Sequence, residues 1–339
     1  MSRKKTWALY VLLTGIVVCL LVFWQQFHEL GGNEEEDYEI YKRHYAMITG
    51  SEDSDFWDRV YESAKEEGKV NGVYVERFGE NLAVEYECQE LLKLAISASV
   101  DGIIIPGDEE EETVALLNEA AEKGIPVVTV LQDSARSLRQ CFVGNNYYNL
   151  GQEYAKQMLE ILSEENTEGK DTSRILVLMD ESRTDSSQNL ILLGIRETLK
   201  EKLNGKLLVS VETSLIDNSR SFQTEESIRD IFLSQEELPD ILVCLSAVHT
   251  RCAYQAAVDY NKVGTVQILG YYDSEAILDA VSKNILYSTI TLDTVQMGRS
   301  CVQALEEYVK TGYTNGYRAV DTHLITAPDA NRLLSGRTP

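Results

Sequence analysis

Short apolar runs alternate with stretches of helical period along most of this chain. The run Asp101-Gly-Ile-Ile-Ile-Pro-Gly-Asp108 shows no polar alternation across Ile103 to Ile105. That predicts a strand buried on both faces, as in a parallel sheet covered by helices. Residues 110–123 follow with Val114, Leu117 and Ala121 on one helical face and acidic residues in the first turn, where the helix dipole favours them. Gly124 ends that helix and Val127 to Val130 begin another strand. The result is a βαβ unit, and open α/β sheets bind ligands at the carboxyl ends of such strands.

The same alternation fills the rest of the chain. A first strand is expected from His44 to Gly50, then a polar loop, a helix over 55–68 closed by Gly68, and a strand from Val70 to Val75. A helix over 80–98 carries Leu82, Leu91, Leu92 and Leu94. Beyond a short strand at Cys141 to Gly144 the pattern restarts. Helices are expected over 147–163, 186–202, 222–235, 248–261, 274–283 and 294–311, with strands between them and a last strand over 319–325. Strictly alternating elements with short connections mean parallel sheet and right-handed crossovers. There are too many units for one sheet, so the fold class is α/β with two doubly wound lobes and a cleft between them. A length of 339 residues suits that division.

Composition narrows the function classes. With 31 basic and 55 acidic residues, the net charge is −24. The first 28 residues hold three basic residues and no acidic one, so the remainder has 28 basic against 55 acidic residues, or −27. Such a surface repels phosphate backbones, and no nucleic-acid partner is expected. Arg3-Lys4-Lys5 precedes the uncharged stretch Trp7 to Trp24, close to the roughly 20 residues that span a bilayer. The basic cluster should stay cytoplasmic, giving a tail over 1–6, a single-pass membrane anchor over 7–24, a juxtamembrane linker over 25–42 and an extracytoplasmic remainder. No small-x-small cleavage site precedes Gln25, which favours an uncleaved anchor over a removed signal peptide.

Candidate chemistry is sparse. Cys19 lies in the apolar stretch, and Cys88, Cys141, Cys244, Cys252 and Cys301 are scattered within apolar patterns, so buried free thiols are expected. The four histidines show no metal spacing, and no metal or cofactor is expected. No Gly-x-Ser-x-Gly elbow, Gly-x-Gly-x-x-Gly turn or phosphate-cradling loop is present, so an enzyme is not expected.

Several segments in order carry a resemblance. These are Asp101-Gly-Ile-Ile-Ile-Pro-Gly, Gly124-Ile-Pro-Val-Val-Thr, Val143-Gly-Asn-Asn146 with Gly151, Gly194-Ile-Arg196, Ile268-Leu-Gly-Tyr-Tyr-Asp-Ser274 and Thr289-Ile-Thr-Leu-Asp-Thr-Val-Gln-Met-Gly298. Over about residues 43 to 330 the chain resembles the type I periplasmic binding proteins, in their ribose/galactose-binding branch. The same fold serves as effector domain in lac-repressor-type regulators, but no helix-turn-helix precedes it here.

The resemblance implies lobes of 43–145 plus 293–317 and 146–292 plus 318–339, joined by a three-strand hinge. The crossings would lie near Asn145-Asn146, Leu292-Asp293 and Tyr313 to Arg318, and ligand would be enclosed by hinge closure. It also implies ligand-binding residues at Ser51, Ser54, Phe56, Trp57, Gln132, Asp133, Asn189, Ser246, Tyr272 and Asp273. Phe56 and Trp57 match an aromatic pair that stacks on a sugar ring, whose C–H face suits a flat aromatic surface. Pro106 and Leu131 would stand at the rim.

Leu131, Tyr272 and Leu292 replace polar residues usual in the family, Ser246 stands where an Asn is usual, and Asn189 stands where a cation is frequent. Loss of those partners weakens the grip on sugar hydroxyls, unless Gln132, Asp133, Asp185 or Asp273 supply polar groups from shifted positions. The ligand is then a sugar, a less hydroxylated sugar-like solute, or the cleft has become regulatory. Two functions follow. One is a tethered solute-binding protein serving an ABC-type permease in sugar import. The other is a sensory accessory protein whose closed form is read by a membrane histidine kinase or chemoreceptor.

Overall fold

The computed structural model describes residues 41–50, 54–84, 86–164, 172–181, 186–204, 208–218, 221–233 and 238–336. The expected tail, anchor and most of the linker lie outside them, as do Ser51 and Asp185. Among the described residues no helix is long and apolar enough to cross a membrane.

The elements run β1 (Arg43–Met47), α1 (Ser54–Asn71), β2 (Val73–Arg77), α2 (Cys88–Ala98), β3 (Gly102–Pro106), α3 (Glu111–Glu122), β4 (Val127–Val130) and β5 (Cys141–Asn145). The pattern then repeats: α4 (Tyr147–Glu164), β6 (Thr172–Asp180), α5 (Ser187–Leu203), β7 (Leu208–Ile216), α6 (Ser221–Leu233), β8 (Ile241–Cys244), α7 (Ala247–Asp259), β9 (Gln267–Tyr271), α8 (Glu275–Ser282) and β10 (Ser288–Leu292). It closes with α9 (Thr294–Thr311), β11 (Tyr317–Val320), β12 (Thr322–Ile325) and α10 (Ala327–Gly336).

Two six-stranded sheets result, ordered β11-β5-β4-β3-β1-β2 and β12-β10-β9-β8-β6-β7. The orders correspond strand for strand, so each lobe is the same α/β design. All pairings are parallel except β10 with β12, which is antiparallel. The chain passes between sheets after β5 at Asn146, after β10 at Asp293, and between β11 and β12 at Asp321. The third passage lies beyond the 313–318 stretch expected. Tyr317 to Val320 pair with Phe142 to Asn145 and keep the chain in the first sheet until Asp321.

The expected buried strand is present: Ile103, Ile104 and Ile105 are fully enclosed between helices on both faces. The helix that follows buries Thr113, Leu116, Leu117 and Ala120, a face turned slightly from the one expected. Three other expectations are corrected. The helix expected from residue 80 starts only at Cys88, where Glu87 and Glu90 form a capping box. Upstream, Gly79 takes φ 98° and Leu82 and Val84 face solvent, so they contribute no helical core face. The helix expected to stop at Gly68 runs on to Asn71, leaving Val70 83% exposed rather than in a strand. Gly68 is there for close packing: a Cβ would lie 2.8 Å from the Val73 carbonyl oxygen. The strand expected over 319–325 is two strands, followed by α10.

Other glycines of the family-like segments set helix contacts. A Cβ on Gly298 of α9 would lie 2.1 Å from the Val60 carbonyl oxygen of α1. In the second lobe a Cβ on Gly151 of α4 would lie 2.1 Å from the Ile191 carbonyl oxygen of α5. Each lobe therefore packs one helix pair backbone to backbone.

Beneath α9 a charge network anchors the first lobe. Buried Glu306 receives Nε and Nη2 of Arg43 at 2.9 and 2.7 Å, the Tyr45 hydroxyl at 2.6 Å and Lys310 at 2.8 Å. Burial opposes its charge, yet these donors hold the carboxyl below the ordinary range.

Candidate interlobe site

The carboxyl ends of β1, β3 and β4 face that of β9 across a cavity of about 370 Å³, within the roughly 300–1,000 Å³ usual for small-molecule sites. A larger hollow of about 770 Å³ surrounds Arg43, Val100 and Gly124. It lies at the amino ends of the first lobe's strands, the wrong end for an α/β ligand site.

Four aromatic residues wall the interlobe cavity: Phe56 and Trp57 from the first lobe, Tyr271 and Tyr272 from the second. Phe56 and Trp57 sit in the first turn of α1, which the loop after β1 delivers to the strand ends. Their rings meet edge to face with centroids 5.2 Å apart, and Phe56 also meets the Tyr272 ring at 6.1 Å. Both belong to a core cluster that includes Tyr272, so apolar packing continues across the cleft. Pro106, Leu131 and Gln132 form the rim, and Glu87, Gln89 and Asp108 supply polar groups. Among the described residues lining the cavity there is no lysine or arginine.

The rim is fixed by backbone geometry. The Gly107 amide donates to the Gln132 carbonyl at 2.9 Å. A Cβ on Gly107 would lie 2.7 Å from the backbone of Asp133 and Ser134, so only glycine lets the two loops touch. The Tyr147 hydroxyl, just past the first passage, donates to the Leu131 carbonyl at 2.6 Å.

The sequence-derived residues divide into groups. Phe56, Trp57, Gln132 and Tyr272 reach the cavity. Ser54 is the first residue of α1. Asp133 does not line the cavity: it accepts from Nε and Nη2 of Arg139, from the Thr129 hydroxyl at 2.9 Å and from the Ser134 amide at 2.8 Å. Asn189 stands exposed in the first turn of α5, away from the cavity. Ser246 is the N-cap of α7, its hydroxyl accepting from the His249 amide at 3.1 Å. Asp273 is paired with Arg59 of the opposite lobe, at 2.7 and 3.0 Å.

Arg59 was not picked out from the sequence. It lies one turn after Asp55 on α1, and its guanidinium carbon stands 5.2 Å from the centre of the Tyr272 ring. Tyr272 in turn donates from its hydroxyl to Asp55 Oδ2 at 3.1 Å. Burial drives the Tyr272 phenol upward, against the pull of the Arg59 cation. Arg59 itself is raised by Asp273 despite its burial.

In the second lobe His249 is fully buried, with Nε2 3.0 Å from Asn218 Oδ1 and no partner at Nδ1 among the described residues. Burial lowers it to about 4, with the Asp180 charge opposing, so the ring is neutral at pH 7. The carbonyl oxygen of Asn218 can only accept, which assigns the proton to Nε2.

The described cysteines are all free thiols, Cys244 and Cys252 included. Among the described residues no cluster of His, Cys, Asp and Glu is placed to hold a metal ion.

A family model described as periplasmic binding protein domain matches residues 45–313. A search among curated protein sequences returns no match. Among solved structures, the glucose-galactose binding protein GanP of Geobacillus stearothermophilus is similar at 25% identity and TM-score 0.70, over 85% of this chain and 98% of that one. A chain of the XylFII–LytSN complex is similar at 25% identity and TM-score 0.68, over 85% and 99%. The sugar-binding protein of a sugar ABC transporter from Bacillus halodurans shares the fold at 21% identity and TM-score 0.70, over 86% and 99%.

Proposed function

This chain belongs to the periplasmic binding protein family, whose members are solute-binding proteins rather than enzymes, and from that premise we propose that it captures a neutral sugar between its lobes. The observation that carries this reading is the aromatic cavity bounded by both lobes. Phe56, Trp57 and Tyr272 offer flat apolar faces of the kind a pyranose C–H surface needs, while Gln132, Gln89, Glu87 and Asp108 offer hydrogen-bonding groups. Among the described lining residues the carboxylates stand without a lysine or arginine, which disfavours sugar acids and sugar phosphates. Similarity to GanP, a glucose-galactose binding protein, supports the choice of ligand class.

The apolar stretch from Trp7 to Trp24 tethers the protein to the cell membrane, with the lobes extracytoplasmic. Ligand bridging the lobes stabilises a closed surface, which an ABC-type permease reads during import. A second reading has its own support. The similarity to a chain of the XylFII–LytSN complex favours a sensory accessory protein whose closed form is read by a membrane histidine kinase.

Thermal-shift measurements on the full chain in detergent test the ligand class, since a ligand that binds only the native state raises the melting temperature by mass action. A neutral pentose or hexose should raise it, while its uronic acid and phosphate should not. A shift with an amino acid or anion, and with no sugar, contradicts the reading. Import and sensing separate by whether the loaded protein stimulates permease ATP hydrolysis or kinase autophosphorylation.

A further inference from the structure

We propose that Arg59 and Asp273 form an interlobe latch that populates the closed arrangement before any ligand arrives. This rests on the reading of the cleft as a solute site and concerns how that site is regulated.

Arg59 belongs to the first lobe and Asp273 to the second, and neither residue is part of the three passages that join the lobes covalently. The guanidinium grips the carboxylate through two nitrogens at 3.0 and 2.7 Å, the fork geometry of the strongest protein ion pairs. The Asp273 side chain is 10% exposed and that of Arg59 29%, so solvent screens the pair only in part. The contact is reinforced on both sides. The same guanidinium lies against the Tyr272 ring, the Tyr272 hydroxyl reaches back to Asp55 of the first lobe, and Phe56 meets the Tyr272 ring at its edge. Every one of these contacts crosses the cleft, and none requires a ligand.

A carboxylate buried at this depth needs a countercharge. Here the protein supplies one from its own opposite lobe. Asp273 is therefore committed to holding the lobes together instead of gripping a ligand hydroxyl. Closure is set by protein groups, and a ligand adds to an equilibrium already biased toward the closed side. A partner that reads the closed surface then meets a basal population without ligand.

Hydrogen exchange followed by mass spectrometry on the full chain in detergent, with no ligand, tests this. Arg59→Gln and Asp273→Asn should each raise exchange roughly tenfold or more in peptides spanning 54–60, 86–90 and 270–276, on both walls of the cleft. The double variant should exchange no faster than the faster single variant, since the two residues act as one unit. The charge swap, Arg59→Asp with Asp273→Arg, should restore most of the protection. Unchanged exchange in both single variants overturns the proposal, as does a charge swap that restores nothing. Because no sugar is added, the result is independent of the ligand reading, and a failed sugar panel leaves this one standing.

Discussion

Leu131 and Tyr272 hold equivalent places in the two lobes, and both take a left-handed backbone, at φ 66° and 82°. Each is the first residue past its strand, β4 or β9, at the fourth position of the repeated topology. Each amide donates to the next strand, Leu131 to the Val143 carbonyl at 2.9 Å and Tyr272 to the Ile290 carbonyl at 2.7 Å. The Tyr272 carbonyl is further pinned by the Thr289 hydroxyl at 2.6 Å. Bulky residues rarely adopt this conformation, and strain of this kind persists where the surroundings over-determine it, often at ligand sites. It turns both side chains into the interlobe cavity.

Leu131→Ile tests that strain with little change in volume or polarity. A β-branched side chain fits the left-handed region poorly, so the substitution should destabilise the protein by about 1–2 kcal/mol. Urea denaturation of the full chain measures it, and an unchanged midpoint contradicts the claim of strain.

Trp57 packs as a core residue and also walls the site, so its two roles need separate readouts. Trp57→Ala should cost about 3–5 kcal/mol of stability. Trp57→Phe should keep most of the stability yet weaken sugar binding about tenfold, by losing stacking area. Calorimetric titration beside chemical denaturation distinguishes the two.

Stability should fall with pH in two separate windows. His249 has a folded value of about 4 against an ordinary 6.5, so between those values the unfolded chain binds the extra proton. Its contribution is complete above pH 6.5 and declines as pH drops toward 4, by about 3 kcal/mol in all. His249→Gln should flatten the stability curve over that range.

Glu306 acts lower. Its folded value lies below the ordinary 4.5, so its contribution is present above pH 4.5 and lost as pH falls through the folded value. Glu306→Gln should cost about 3 kcal/mol at pH 7, because the buried end of Arg43 loses its countercharge. The same variant should be less sensitive to acid below pH 4.5 while keeping the His249 slope above it.

How much of this was legible beforehand depends on the range of the interaction. The helix expected over 294–311 matches α9 end to end, since Asp293 caps its start and Gly312 its finish. The helix expected from residue 80 failed because Leu82 and Val84 imitate an apolar face that nothing covers. At the site, Phe56 and Trp57 were visible as an aromatic pair beside a helix start. Asp133 and Asp273 pair with arginines, and side-chain type does not reveal which cation claims a carboxylate. Arg139 is six residues from Asp133, but Arg59 is 214 residues from Asp273, and that pairing exists only once both lobes are folded. One local signal pointed to Arg59: it stands four residues after Asp55 on the helix that carries Phe56 and Trp57, and so faces the same cleft.

The chain has three tryptophans, Trp7, Trp24 and Trp57, so replacing the first two by Phe leaves a single emitter in the wall of the cavity. Titrating that variant of the full chain with neutral sugars, while following Trp57 emission and heat together, tests the central claim most directly. A saturable change in Trp57 emission that tracks the binding heat, with one sugar per chain, is the predicted result. Heat of sugar binding with Trp57 silent, or no neutral sugar binding at all, would contradict it.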